Sequence, residues 1–242
     1  MSGIMISTRK AAIDAYGGEK LWTETRSIEA EISVKGLAFI MKMRPYFNRV
    51  TVYVDVHTPY CKIIPIGSKE GIAGVLCGQN VWLENARGEV IAKRDNARAS
   101  FNRFRQAFFW DDLDMAYFAN YAIWNYLALP ALLLRRDILW RESRPGVLDG
   151  IFPDDLPSHC RKQRFHFDPE TGLLRQHDYT AEVIGRFAHA AHIVLEHGHS
   201  DGVVYTAHRR VTPRKRDGTP AAGPTLIDIR VHRLAMVNDH LP

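Results

Sequence analysis

The chain has 242 residues, 46% of them hydrophobic and 24% charged, and 32 Lys+Arg against 27 Asp+Glu leave a net charge of +5. That balance excludes a disordered chain, and one core at this length buries enough surface to need no disulfide framework. The densest basic run is RRVTPRKR, Arg209 to Arg216; it reads as a solvated hairpin end, and with no reading element beside it nucleic acid is not an expected partner.

The three cysteines, Cys61, Cys77 and Cys160, are odd in number and show no CxxC spacing, which fits free thiols in a reducing compartment. The N-terminal MSGIMISTRK lacks the apolar core of a signal peptide. LALPALLL, Leu127 to Leu134, falls far short of the ~20 residues that span a bilayer. The expectation is a soluble, cytoplasmic protein without a transmembrane segment.

In chain order, Ser7 caps a short helix through TRKAAIDAY, which Gly17-Gly18 ends. The period then changes to two. Ile28, Ala30, Ile32 and Val34 alternate with polar neighbours, as do Phe39, Met41 and Met43, and then Val50, Val52, Val54 and Val56. Such runs predict antiparallel strands with one buried face. A fourth strand follows from Tyr60 to Ile66, and VWLENARGEVIAKR reads as a hairpin turning near Arg87-Gly88. Asp111, Asp112 and Asp114 suit a helix N-terminus. Leu113, Tyr117, Tyr121, Trp124 and Ala128 then recur at helical spacing, with Phe118, Ala122 and Tyr126 widening the apolar arc until Pro130 breaks it. A helix apolar around so much of its circumference belongs deep in the protein. Strands resume at RFHF, LLRQHDYTAEV, AHAAHIVLEHGH, VVYTAHRRV and TLIDIRVHRL. The sum is one mainly β (α+β) domain over residues 1–242: a single bent antiparallel sheet or half-barrel of about ten or eleven strands, with the aromatic helix in its concave face.

This order of elements resembles the LolA/LolB-like half-barrels, the fold of the lipoprotein carriers of bacterial envelopes. AIDAYGGEKLW, WDDLDMAYFANYAIWNYLALPALL, FDPETGLLRQHDY and GVVYTAHRRV further resemble a family of uncharacterised bacterial proteins. The resemblance implies a concave sheet that binds an acyl chain or another hydrophobic molecule, and it carries no reaction with it.

Four histidines fall between His189 and His199. On a strand His189, Ala191, Ile193, Leu195, His197 and His199 share one face, while Ala190, His192 and Val194 share the other. His189 and His192 therefore cannot converge on one metal, and His197 and His199 at the strand end read as solvated; neither metal nor cofactor is expected. His189 is expected to point into the concavity, where it orients a ligand or exchanges a proton, with Asp178 or Tyr179 as partner. No phosphate-binding glycine loop or nucleophile elbow occurs. The reading is a binding protein for a hydrophobic small molecule, with Met41, Met43, Val52, Val54, Tyr117, Tyr121, Trp124 and His189 lining its site. The alternative is a metal-free isomerase, cyclase or hydrolase in the same cavity, using His189 or Tyr179 as acid/base.

Overall fold

The structure, a computed structural model, describes residues 7–67, 70–101 and 109–238. Ser7 caps helix α1 (Thr8–Ala15), its side chain accepting from the Lys10 amide. Helix α2 (Glu19–Glu24) follows, then strand β1 (Ser27–Lys35), whose Ile28, Ala30, Ile32 and Val34 face the core as the alternation predicts. Strand β2 (Phe47–Asp55) does the same with Val50, Val52 and Val54, which pair across the ladder with Ile32, Ala30 and Ile28.

The segment between them is a correction. Phe39, Met41 and Met43 do not form a strand: Leu37–Met41 is a short helix, α3. Gly36 sits at φ +139°, and a Cβ there would lie 2.3 Å from the Leu226 carbonyl oxygen, so the chain turns sharply against its neighbour. The Leu37 and Ala38 amides then bond the Thr225 and Leu226 carbonyls, which fixes the helix on the lead-in to the last strand. Only Phe39 of the three is buried; Met41 is 58% and Met43 72% exposed. An alternating apolar run this short fits one helical turn as well as a strand.

Strands β3 (Tyr60–Ile64), β4 (Ala73–Cys77), β5 (Asn80–Glu84) and β6 (Val90–Arg94) continue the meander, and α4 (Ala97–Ser100) follows. Helix α5 (Asp112–Leu127) begins with a capping box in which the Asp111 and Asp114 side chains each accept from the other's backbone amide. Arg94 binds both carboxylates at 2.7 Å. Pro130 ends the helix as expected and opens α6 (Leu129–Leu134). The second meander is β7 (Leu139–Arg144), β8 (Val147–Ile151), β9 (Lys162–Phe167), β10 (Leu174–Thr180), β11 (His189–Ser200), β12 (Val203–Pro213) and β13 (Ile227–Val237).

All described strands form one antiparallel sheet of thirteen, ordered β6-β5-β4-β3-β2-β1-β13-β12-β11-β10-β9-β8-β7. The count exceeds the expected ten or eleven because β4, β7 and β8 escape the alternation rule, while the supposed strand at Met41 is lost. Strand β4 is buried on both faces and β7 is exposed along almost its whole length, so neither reads as period two. The β1–β13 pairing joins the two meanders at the centre of the sheet. Helix α5 packs on β3, β4 and β5, where Gly74 allows close approach: a Cβ there would sit 3.0 Å from Ala116 Cβ.

Candidate functional site

Two features meet on the inner side of the sheet. The first is an apolar cavity between α5, α3 and the sheet. It has room for about 50 Å3 of water-sized contents, or about 610 Å3 when all space between its atoms and the open solvent at its mouth are counted. Its walls come from Phe39 and Phe47, from Met115, Phe118, Ala119, Ala122 and Ile123 along one stripe of α5, and from Ile227 and Ile229 of β13. Lys42 and Arg44 also line it. Lys42 is 5% exposed and its ammonium lies 5.2 Å from the centre of the Trp110 ring, while burial pushes its pKa down. Arg44 pairs with Asp112 and donates to the Trp110 carbonyl at 3.0 Å.

The second feature begins where the cavity meets Tyr126 and Tyr179. Their hydroxyls are 3.0 Å apart, and Tyr126 Oη is also 2.6 Å from His159 Nε2. Tyr121 Oη reaches the other ring nitrogen of His159 at 3.3 Å. His159 stacks on Tyr179 at 3.8 Å, and His177 stacks on Phe165 at 4.2 Å while bonding Gln163 at 2.7 Å. His192 packs edge-on to Tyr126 at 4.5 Å with both ring nitrogens unpaired. Arg209 lies over the Tyr126 ring, 4.9 Å from its centre. These groups come from α5, the loop before β9, and strands β9 to β12, so the second meander contributes all of them but the helix tyrosines.

Burial sets their charge. It pushes His159 down to about 3, with the Arg98 charge adding to the shift. His177 and His192 are driven well down by burial first and by neighbouring His159, His177 and Arg209 next. Tyr121, Tyr126 and Tyr179 are all driven up by burial. The cluster is therefore a set of neutral rings and hydroxyls around one guanidinium. A general base near neutral pH needs a pKa near 7, and none of these buried histidines has one.

Sequence reasoning named Tyr179, Tyr121 and Tyr117, and the structure buries all three; Tyr117 donates to Gln79 Oε1 at 3.1 Å. Trp124 is fully buried, its indole bonded to the Asp55 carbonyl at 2.8 Å. Val52 and Val54 are fully buried in the core. Met41 and Met43 lie exposed, next in sequence to lining residues Lys42 and Arg44. His189 is exposed and bonds the Thr180 hydroxyl at 3.0 Å; it does not point into the concavity. The inward residue is His192, because Tyr179 faces Ala190 and His177 faces His192 across the β10–β11 ladder. His197 is half-buried and bonds Tyr16 Oη at 3.2 Å. Among the described residues no three His, Cys, Asp or Glu side chains gather as metal ligands would.

Arg209 is the residue that sequence reasoning missed. It sits in the run assigned to a solvated hairpin end, yet it is 2% exposed. The β11–β12 pairing shifts register twice between Val194 and His197. That irregularity flips the parity of β12, so Thr206 and Arg209 are both buried while His208 turns out to pair with Asp228 at 3.0 Å.

No family model and no curated protein sequence matches the chain. Solved structures do. A LolA superfamily protein from Nitrosomonas europaea is 10% identical, with a TM-score of 0.53 over 97% of this chain and 93% of that one. A DUF1329 family protein from Desulfovibrio piger is 14% identical, with a TM-score of 0.53 over 98% and 96%. A putative outer membrane lipoprotein-sorting protein domain from Vibrio parahaemolyticus is 12% identical, with a TM-score of 0.49 over 97% and 92%. The cytoplasmic placement expected from the cysteines does not stand: the fold is shared with a LolA superfamily protein. Of the three free thiols, Cys61 and Cys160 are buried and Cys77 is exposed; a buried thiol is inert in any compartment. Over nearly its whole length the chain has a fold similar to that of the LolA superfamily.

Proposed function

We propose that the protein binds a hydrophobic small molecule, an acyl chain or one of similar width, in the cavity between α5 and the concave face of the sheet. The observation that carries this reading is an open-mouthed cavity walled by Phe39, Phe47, Met115, Phe118 and Ile123. Burying apolar ligand surface there is worth about 25 cal/mol per Å2, and the site matches the general form of small-molecule pockets, mostly apolar with few polar groups. The fold likeness supports a carrier outside the cytoplasm, built as one domain. The neutral state of the His159–Tyr126–Tyr179 cluster favours binding over acid/base turnover. The test is native mass spectrometry of the purified protein followed by denaturing extraction. A bound lipid-sized mass is the expected result; a protein that stays empty after incubation with long-chain alcohols and acyl esters contradicts the reading.

A further inference from the structure

The strands that turn Gln163, His177 and Tyr179 inward present a second, outer face. Alternation puts Arg141, Lys162, Arg164 and Thr180 there. The ladders align them across the strands. Leu139, Ile151 and Lys162 lie side by side on β7, β8 and β9. Arg141, Asp149, Arg164 and Asp178 form the neighbouring row. Thr180 follows Asp178 on the same face, opposite His189. The turn after β12 brings in Arg214, whose amide donates to the His189 carbonyl at 3.0 Å. Gln176 Nε2 holds that turn on β10 by donating to the Gly218 carbonyl at 3.1 Å.

These residues line an open groove with room for about 610 Å3 of water-sized contents. Its two carboxylates are already engaged. Asp149 accepts from Arg164 at 2.6 and 3.1 Å. Asp178 is buried and bonds His166 at 2.9 Å and Gln176 at 2.7 Å. The other cations are not engaged: among the described residues no carboxylate pairs with Arg141, Lys162 or Arg214, and Arg214 Nε is buried without a hydrogen-bond partner. Arg141 still feels the charge of Asp149, which leaves Lys162 and Arg214 as two uncommitted positive charges on either side of Thr180. One end of the groove is apolar, formed by half-buried Ile151 and by Leu139, which is 66% exposed.

We propose that this outer groove binds a soluble organic phosphate monoester, the phosphate between Lys162 and Arg214 over the Thr180 hydroxyl and the organic group against Ile151 and Leu139. A monoester carries close to two negative charges at neutral pH, which matches the two uncommitted cations. A carboxylate or a lipid phosphodiester carries one and leaves a cation unmatched. Arginine offers phosphate a planar fork and lysine a point charge. The groove opens on the opposite face of the sheet from the cavity beside α5, so either can bind without the other.

The test is a backbone-amide NMR titration with phenyl phosphate, inorganic phosphate and phenyltrimethylammonium, which reads both affinity and place. Phenyl phosphate is expected to give saturable shifts at Lys162, Thr180 and Arg214, weakened by added salt. Inorganic phosphate should bind the same residues at least about threefold more weakly, for want of apolar contact. Phenyltrimethylammonium, with the same ring and the opposite charge, should leave them unmoved. Lys162→Gln and Arg214→Gln should each weaken phenyl phosphate at least about fivefold, as the loss of a charge-assisted hydrogen bond allows. Shifts that fall elsewhere, or none, overturn the proposal without any variant. So does phenyl phosphate affinity that survives both substitutions, or inorganic phosphate binding as tightly as the monoester. Sedimentation with phosphatidylglycerol vesicles in the absence of a phenyl phosphate response would assign the groove to a bilayer surface and overturn it too.

Discussion

The two meanders share one architecture and differ in what they turn inward. The first, β1 to β6, lines its inner side with aliphatic residues such as Ile28, Ile32, Val52, Val54 and Ile63, all fully buried or nearly so. In the second, β7 to β13, strands β9 to β12 turn in Gln163, His177, Tyr179, His192 and Arg209. Helix α5 serves both, offering Trp124 to the first and Tyr126 to the second. An apolar face is stable whatever its exact partners, whereas buried polar groups hold only if their hydrogen bonds are met. The second meander meets most of them and, among the described residues, leaves polar atoms of Trp140, His192, Arg209 and Thr212 unpaired on its strands. The difference teaches that the sheet supplies a frame, and that its strands' buried polar side chains gather on one half of it.

Acid should break the comparison most sharply. His159 has a folded-state pKa of about 3 against an ordinary 6.5, so the unfolded chain binds the proton first. Stability from this group is fully present above pH 6.5 and is lost as pH falls towards 3, at about 1.4 kcal/mol per pH unit. His177 and His192 shift in the same direction and add to the loss. Urea unfolding at pH 7 and pH 5 should differ by several kcal/mol; equal midpoints would show that these rings are solvated. Truncation in the first meander's support comes next. Trp124→Ala should cost about 3–5 kcal/mol in the same unfolding assay at pH 7, since the side chain is fully buried and its loss also strands the Asp55 carbonyl. Tyr126→Phe removes a single hydroxyl shared by His159 and Tyr179 and should cost about 1–3 kcal/mol; a neutral result would mean that water fills the gap. His189→Ala, at an exposed strand end, should change stability by no more than about 0.5 kcal/mol.

What was legible in the sequence follows from this contrast. Alternation identified β1 and β2 because an aliphatic face repeats strictly, and the acidic cap and Pro130 bounded α5 correctly. Parity failed wherever a ladder slips. The register shift that places Ile32 opposite Val231 lets Leu234 face the core out of phase with Ile229 and Val231. The double shift in β11–β12 hides Arg209 inside a run that looks solvated. His189 and His192 were distinguished as opposite faces, but nothing local says which face is inner. The one available signal was the neighbouring strand: Phe165, His177 and Tyr179 are large rings at in-phase positions, and their ladder partners, His192 among them, must share their side.

The central claim is that the space beside α5 is a binding cavity for an apolar chain. Titration of 1-octanol into wild-type protein and into Ala119→Phe tests it directly. The account predicts saturable binding with a negative heat-capacity change in the wild type, weakened at least about tenfold when the added ring of Ala119→Phe takes up the cavity. Binding of equal strength in both proteins, or none in either, would contradict it.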